Sequence, residues 1–284
     1  MAMNLLIDIG NTRLKWGCES NGQIEQTGFM DSARLSRSVL DEGMSLIAKP
    51  KSVWVSSVGS PASNKAVVEW LLQRYQLEAH VVKVRQPVAG FSNAYADLDA
   101  LGVDRWVAAI GARGCAQVKD ASECALPKDI IVIDVGTAIT IDCLTAGNVF
   151  QGGVIYPGYR LMHDSLVGGT SGIKSEYFET DQIIGKTTSE CVNSGIAFGV
   201  AGAVERIVAD LQSSIGAVTQ ILLTGGGAQA LLDKARLDAR YEPNLVLIGL
   251  MKIAELQAKE PIGDVQLRPE GHVKYKARPI KGDS

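Results

Sequence analysis

The chain has 284 residues, with 46% hydrophobic residues, 28 Lys and Arg, and 31 Asp and Glu. That length suits one or two domains with a sizeable core, and the composition excludes a disordered chain. A net charge of -3 argues against nucleic acid or an anionic membrane as the main partner, since both select basic surfaces. Apolar runs such as Ile130 to Ile133 are too short to cross a bilayer, so no membrane partner is expected. The first ten residues lack the basic start and long apolar stretch of a secretory leader. Cys18, Cys115, Cys124, Cys143 and Cys191 are scattered with no CxxC, which predicts a reduced, cytoplasmic protein in which they are small buried apolar side chains.

Asn4 to Ile9 reads as an apolar strand, and Arg13 to Cys18 as a second one, joined by a Gly10-Asn11-Thr12 turn. Val53 to Ser56 is a short strand, and His80 to Val84 another. Between them Pro61 to Tyr75 has helical spacing, with Val67, Val68, Leu71 and Leu72 on one side. Asp104 to Val118 reads as a helix with an acidic residue at its start, where the helix dipole favours it. The pattern then restarts: strands over Ile130 to Val135, Ala138 to Leu144 and Asn148 to Pro157. A long helix follows from Ser189 to Leu211, then a strand over Val218 to Thr224 and a helix from Ala228. Leu245 to Gln257 is the last packed helix. Trp16, Trp54, Trp70 and Trp106 are expected in core or interface, and His80 and His163 in structural roles. The tail from Lys259 to Ser284 holds three prolines and six basic residues; it is expected either as a surface extension or as a short packed hairpin.

A weak internal repeat organises this list. Ile7-Asp8-Ile9-Gly10-Asn11-Thr12 resembles Ile133-Asp134-Val135-Gly136-Thr137-Ala138, 126 residues later. Each is an apolar strand ending in Asp, a small turn and a returning strand. Duplication predicts two similar α/β halves, 1–120 and 121–258, with 259–284 as an extension and a boundary in the polar, Pro127-containing stretch before Lys128.

The turns carry the chemistry. Gly10 lets the backbone approach a phosphate, and Asn11, Thr12 and the turn amides offer donors. An acid at a strand end, such as Asp8, can hold Mg2+, which takes one or two carboxylates plus phosphate oxygens. Lys15 adds charge. Taken alone, this segment is also an ordinary hairpin turn; the second copy, with Asp134 and Thr137, favours the phosphate reading, while Asp142 on its returning strand reads as structural. A third element, Thr224-Gly225-Gly226-Gly227-Ala228, ends a strand and opens a helix, aiming amides and dipole at a ligand. Gly225, Gly227 and Ala230 nearly spell a dinucleotide fingerprint, but a poor βαβ continuation around Arg240 to Pro243 favours an adenosine turn. Gly185-Lys186-Thr187 is no P-loop, since Thr180 stands where its first glycine belongs. Three such turns in this order match the α/β architecture of actin, sugar kinases and Hsp70, with ATP between two related halves.

Two further segments narrow the resemblance: Tyr95 with Leu101-Gly102-Val103-Asp104-Arg105-Trp106, and Gly152 to Gly158. With DIGNTRLKWG, DVGTAITID and Gly185 to Gly195, they strongly resemble the type III pantothenate kinase family, which includes proteins described as Bvg accessory factors. The resemblance runs from about residue 4 to 256 in unchanged motif order. It implies ATP-dependent phosphorylation of the 4'-hydroxyl of pantothenate, the first step to coenzyme A. It also implies Mg2+, a monovalent cation (K+ or NH4+), and a homodimer with the active site near the subunit interface. Carried onto this chain, Asp8, Ile9, Gly10, Asn11, Thr12, Arg13, Leu14 and Lys15 bind ATP, with Thr137 and Gly225 to Gly227, and Asp8 also meets metal. Asp104 is the general base, and Tyr95, Gly102, Val103 and Arg105 hold pantothenate. Asp134 binds the monovalent cation, and Thr188, or its neighbour Thr187, reaches pantothenate from the partner subunit. Arg105 suits the pantothenate carboxylate, because a guanidinium pairs with a carboxylate through two parallel hydrogen bonds. From the residues alone, Asp104 reads as a helix cap and Arg105 as a solvated charge. A non-catalytic, nucleotide-binding regulatory protein on the same fold is the alternative; it calls for a lost base or a broken phosphate turn. The chain departs from the family pattern at Gly169 to Ile173, after the Pro157-Gly158 turn.

Overall fold

The computed structural model describes residues 3–119, 128–215 and 219–259. The expected tail and the polar boundary segment, with Cys124 and Pro127, lie outside the described residues. The elements run β1 (Asn4–Ile9), β2 (Arg13–Ser20), β3 (Gln23–Asp31), α1 (Arg37–Gly43), β4 (Ser52–Ser57), α2 (Pro61–Tyr75), β5 (Ala79–Val81), β6 (Ser92–Asn93) and α3 (Val103–Lys119). They continue with β7 (Asp129–Val135), β8 (Ala138–Leu144), β9 (Val149–Pro157), α4 (Tyr159–Gly168), α5 (Thr188–Ile215), β10 (Thr219–Thr224), α6 (Ala228–Leu232), β11 (Ala239–Tyr241) and α7 (Leu245–Lys259).

The duplication is architectural. The first sheet has the order β3-β2-β1-β4-β5, and the second repeats it as β9-β8-β7-β10-β11, with β6 added at its edge. In both, the first strand runs antiparallel to its hairpin partner and parallel to the strand on its other side. The two hairpins differ by one residue: Ile9 pairs with Leu14, whereas Val135 pairs with Ile139. The second turn is therefore tighter.

Strand periodicity builds the layers. Odd positions of β1 (Leu5, Ile7, Ile9) pack outward with Met30, Leu40, Val67 and Trp70, beneath α1 and α2. Odd positions of β7 (Ile131, Ile133, Val135) pack outward against Val192, Ile196, Val200 and Leu231 of α5 and α6. The inward positions, Leu6 on one sheet and Ile130 and Val132 on the other, share a middle layer with α3 and α7. These two helices cross closely because two glycines meet there: a Cβ on Gly111 would stand 2.8 Å from the Gly249 nitrogen. Asp8 and Asp134 fall on the inward rows, one step beyond the residues the helices cover.

Several expectations change. The His80 strand stops at Val81; after Val82 donates to the Val55 carbonyl (2.9 Å), the chain turns away. β3 was not anticipated, because six of its nine residues are exposed and no apolar run marks it. The poor βαβ continuation is corrected: β11 lies parallel to β10 after the five-residue α6. Cys18, Cys115 and Cys143 are buried, but Cys191 is exposed. Trp54, Trp70 and Trp106 are buried. Among the described residues α5 is the one helix long and apolar enough to cross a membrane, and half of that stretch is buried within the protein.

Candidate active site

The two hairpin turns meet. Thr12 Oγ1 and Thr137 Oγ1 lie 2.7 Å apart, a hydrogen bond joining the tips of the duplicated units. The first turn is braced by Ser32, whose hydroxyl donates to the Gly10 carbonyl (2.8 Å) and whose amide donates to the Thr12 carbonyl (2.9 Å). The third turn closes over the second: Gly227 N–H donates to the Val135 carbonyl (2.9 Å). Gly225 has φ +93°, and a Cβ there would strike the Asp134 carboxylate and the Val135 backbone. Gly226 leaves room for Arg13, since a Cβ would sit 3.0 Å from its Nη1. Asn11, Thr12 and Thr137 are exposed at this junction, and Ile9 and Leu14 are buried beneath it.

Three carboxylates gather under the turns. Asp8 pairs across the sheet with Lys15 on one side and Ser56 on the other. Its Oδ1 is sealed from solvent without a hydrogen-bond partner, and the buried Ser56 hydroxyl beside it closes none of good geometry. Burial, then the nearby Asp104, pushes the Asp8 carboxyl up to about 7, against the pull of Lys15. Burial likewise raises Asp134 to about 6, with Asp104 adding to it and Lys15 opposing. Asp104 is itself raised above its ordinary value by burial. Lys15 thus faces two acids, Asp8 and Asp134, while Asp104 acts on both and its neighbour Arg105 is paired with Asp142, and the surplus negative charge calls for a cation.

The residues fit Mg2+ in one particular way. No group of three acids, histidines or cysteines among the described residues is close enough to enclose an ion. An unpartnered Asp8 oxygen can instead supply one ligand, leaving the rest to phosphate oxygens and water, which is how Mg2+ prefers to bind.

Asp104 lies in the first turn of α3. Its Oδ1 accepts from the Arg105 amide (2.8 Å), and Gly102 makes room, because a Cβ there would stand 2.6 Å from that oxygen. Beside Gly102 and Val103 opens a cavity of about 450 Å³, lined also by Ser57, Lys83, Arg85 and Leu98.

Arg105 is not a solvated charge. Its Nε and Nη2 donate to the carboxylate of Asp142 at 2.5–3.1 Å, in a pair only 7% and 2% exposed. The edge of the guanidinium expected to grip a substrate carboxylate is therefore already held. Asp142, read from sequence as structural, is what orients it; 37 residues separate the two, so no local signal linked them. Tyr95 lies against the same guanidinium, 5.7 Å from its ring centre. β6 delivers Tyr95 by pairing with β9, where Gly152, at φ +98°, lies beneath the ring.

Thr188 stands apart. It is exposed at the start of α5, and among the described residues no hydrogen bond or ring contact ties it to Asp104 or Arg105. Thr187 belongs to a capping box: its Oγ1 accepts from the Glu190 amide (3.2 Å), while Glu190 Oε2 accepts from the Thr187 amide (3.1 Å). Sequence alone leaves these neighbours interchangeable; the cap fills one acceptor site of the Thr187 hydroxyl but leaves its hydrogen, like the whole Thr188 hydroxyl, free to bond.

Two duplicated sheets, with glycine turns facing over a carboxylate cleft, define the actin-like ATPase fold, the architecture that sugar kinases share. Solved structures agree on the fold. A protein from Campylobacter jejuni described as a Baf-family transcriptional activator matches with a TM-score of 0.51 at 18% identity, covering 90% of this chain and 98% of that one. A 2-hydroxyisocaproyl-CoA dehydratase activator from Clostridium difficile, solved with ADPNP, matches with a TM-score of 0.50 at 13% identity, covering 93% and 100%. Sequence comparison goes further. The family model for type III pantothenate kinase matches residues 4–210. A type III pantothenate kinase from Alcanivorax borkumensis is 32% identical over 255 residues, 90% of this chain and 100% of the relative. One from Leptothrix cholodnii is 35% identical over 266 residues, 88% and 95%. The chain belongs to the type III pantothenate kinase family.

Proposed function

We propose that the protein transfers the γ-phosphoryl group of ATP to the 4'-hydroxyl of pantothenate, the first step of coenzyme A biosynthesis, with Asp104 as general base. The observation that carries the residue-level reading is the convergence of Asp8, Asp104 and Asp134 beneath the joined turns, with Lys15 acting on Asp8 and Asp134. Phosphoryl transfer needs position and charge neutralisation more than covalent help. The turn residues from Asp8 to Lys15, with Thr137 and Gly225 to Gly227, hold the nucleotide. Asp104 accepts the hydroxyl proton as oxygen bonds to the γ-phosphorus, and the bond from phosphorus to the β-phosphate oxygen breaks, releasing ADP. A carboxyl raised by burial is a stronger base than a solvated one. Mg2+ at Asp8 neutralises phosphate charge when bound. Asp134 holds the monovalent cation.

Pantothenate occupies the space between Tyr95 and the Gly102-Val103 backbone, next to the 450 Å³ cavity. Arg105, fixed by Asp142, presents its remaining N–H groups. The chain acts as a homodimer, with Thr188 completing the partner's site. Support comes from the uncommitted Thr188 hydroxyl and from exposed Leu161 (47%), Ile183 (63%) and Ile184 (75%) on α4 and the segment leading to Thr188. The regulatory alternative required a lost base or a broken turn, and neither is present. The test is phosphate transfer to pantothenate with K+ or Na+ as the only monovalent cation. Turnover of ATP should require pantothenate and fall in Na+. ATP hydrolysis indifferent to pantothenate would contradict the proposal.

A further inference from the structure

The inner face of the first sheet carries a row of directly paired residues: Ser56 on β4, Asp8 on β1, Lys15 on β2 and Phe29 on β3. Directly paired residues project from the same face, so Phe29 shares the catalytic face of Asp8 and Lys15. It lies two strand spacings from Asp8, about 10 Å. Deeper along the same face, Leu6 and Trp54 are covered by the middle layer of helices, and a Cβ on Gly17 would meet Leu247 of α7. Phe29 is left uncovered, at 69% exposure. A large aromatic residue exposed on an otherwise inward-facing row calls for an occupant.

Arg13 connects this ring to the other half of the cleft. Its guanidinium lies over Phe29, 5.2 Å from the ring centre. The other side of Arg13 reaches the third glycine turn at Gly226. Ring, guanidinium and turn thus form a continuous wall from the edge of the first sheet to the turn opening α6. The phosphate end of the cleft is built of amides, hydroxyls, Lys15 and acids; this wall instead offers a π face and a planar cation. Such surfaces bind flat heteroaromatic rings by stacking.

We propose that Phe29 and Arg13 form the purine platform of the nucleotide site, with Phe29 setting the preference for a nucleoside triphosphate over bare polyphosphate. This rests on the nucleotide reading of the turns and assigns Arg13 to the base rather than to phosphate.

The experiment compares binding of Mg-ATP and Mg-tripolyphosphate to wild-type, Phe29→Ala, Phe29→Trp and Lys15→Ala proteins by calorimetry, with KM for pantothenate measured in parallel. Phe29 is exposed, so its removal leaves the core intact. Phe29→Ala should weaken ATP about tenfold, ~1.4 kcal/mol, leave tripolyphosphate and the pantothenate KM unchanged, and be rescued by Phe29→Trp. Lys15→Ala should weaken both phosphate ligands. ATP affinity within twofold of wild type in Phe29→Ala overturns the platform, as does equal loss of ATP and tripolyphosphate. Unaltered binding of both ligands in Lys15→Ala would overturn the underlying nucleotide reading instead.

Discussion

Replacing Asp8 with asparagine separates what the site costs the fold from what it gives the reaction. The carboxyl moves from an ordinary 3.8 to about 7 in the folded chain. Its folded form therefore binds more protons than the unfolded chain between about pH 4 and pH 7, and stability falls as pH rises through that window. At about 1.4 kcal/mol per unit, the ionised Asp8 costs on the order of 4 kcal/mol at pH 8 without metal or nucleotide. That cost is already net of the attraction of Lys15, so asparagine, which removes it, is expected to gain up to about 4 kcal/mol, or roughly 8–16 °C in Tm. Thermal unfolding of the metal-free proteins at pH 8 and pH 5 measures it. The gain should be largest at pH 8, fall to less than half of that at pH 5, where Asp8 is protonated in the fold but ionised in the unfolded chain, and vanish only below about pH 4. The same variant should lose roughly a hundredfold or more in kcat/KM. A variant no more stable than wild type at pH 8, or an equal difference at both pH values, refutes the reasoning.

Other expectations concern the scaffold. Asp142→Ala strands the buried Arg105 charge and should cost about 3–5 kcal/mol in chemical denaturation; where the fold survives, KM for pantothenate rises while ATP affinity holds. Gly249→Ala drives a Cβ into the Val107 carbonyl at the α3–α7 crossing. It should cost about 1–3 kcal/mol by overpacking, read as a lower denaturation midpoint.

The strand-turn-strand repeat around Asp8 and Asp134 was legible because period-two burial leaves an acid conspicuous on an apolar strand. The helix opening at Asp104 was legible from its apolar spacing and acidic start. β3 escaped notice because its exposed residues leave no run, and with it went Phe29, which sequence presents as one hydrophobic residue in a polar hairpin. The hold of Asp142 on Arg105 and the two-residue β6 that carries Tyr95 to β9 are tertiary facts, fixed by pairing between segments far apart in the chain. Burial of Cys191 was expected from residue type alone, but its position on the outer side of the first turns of α5 exposes it.

The central claim is that Asp104 takes the proton from the alcohol. The direct measurement is the single-turnover rate of phosphate transfer to pantothenate by Asp104→Asn, with ATP affinity determined on the same sample. The account predicts a rate lowered by roughly a hundredfold or more with ATP affinity within a few fold of wild type. Near-normal transfer by that variant would contradict it.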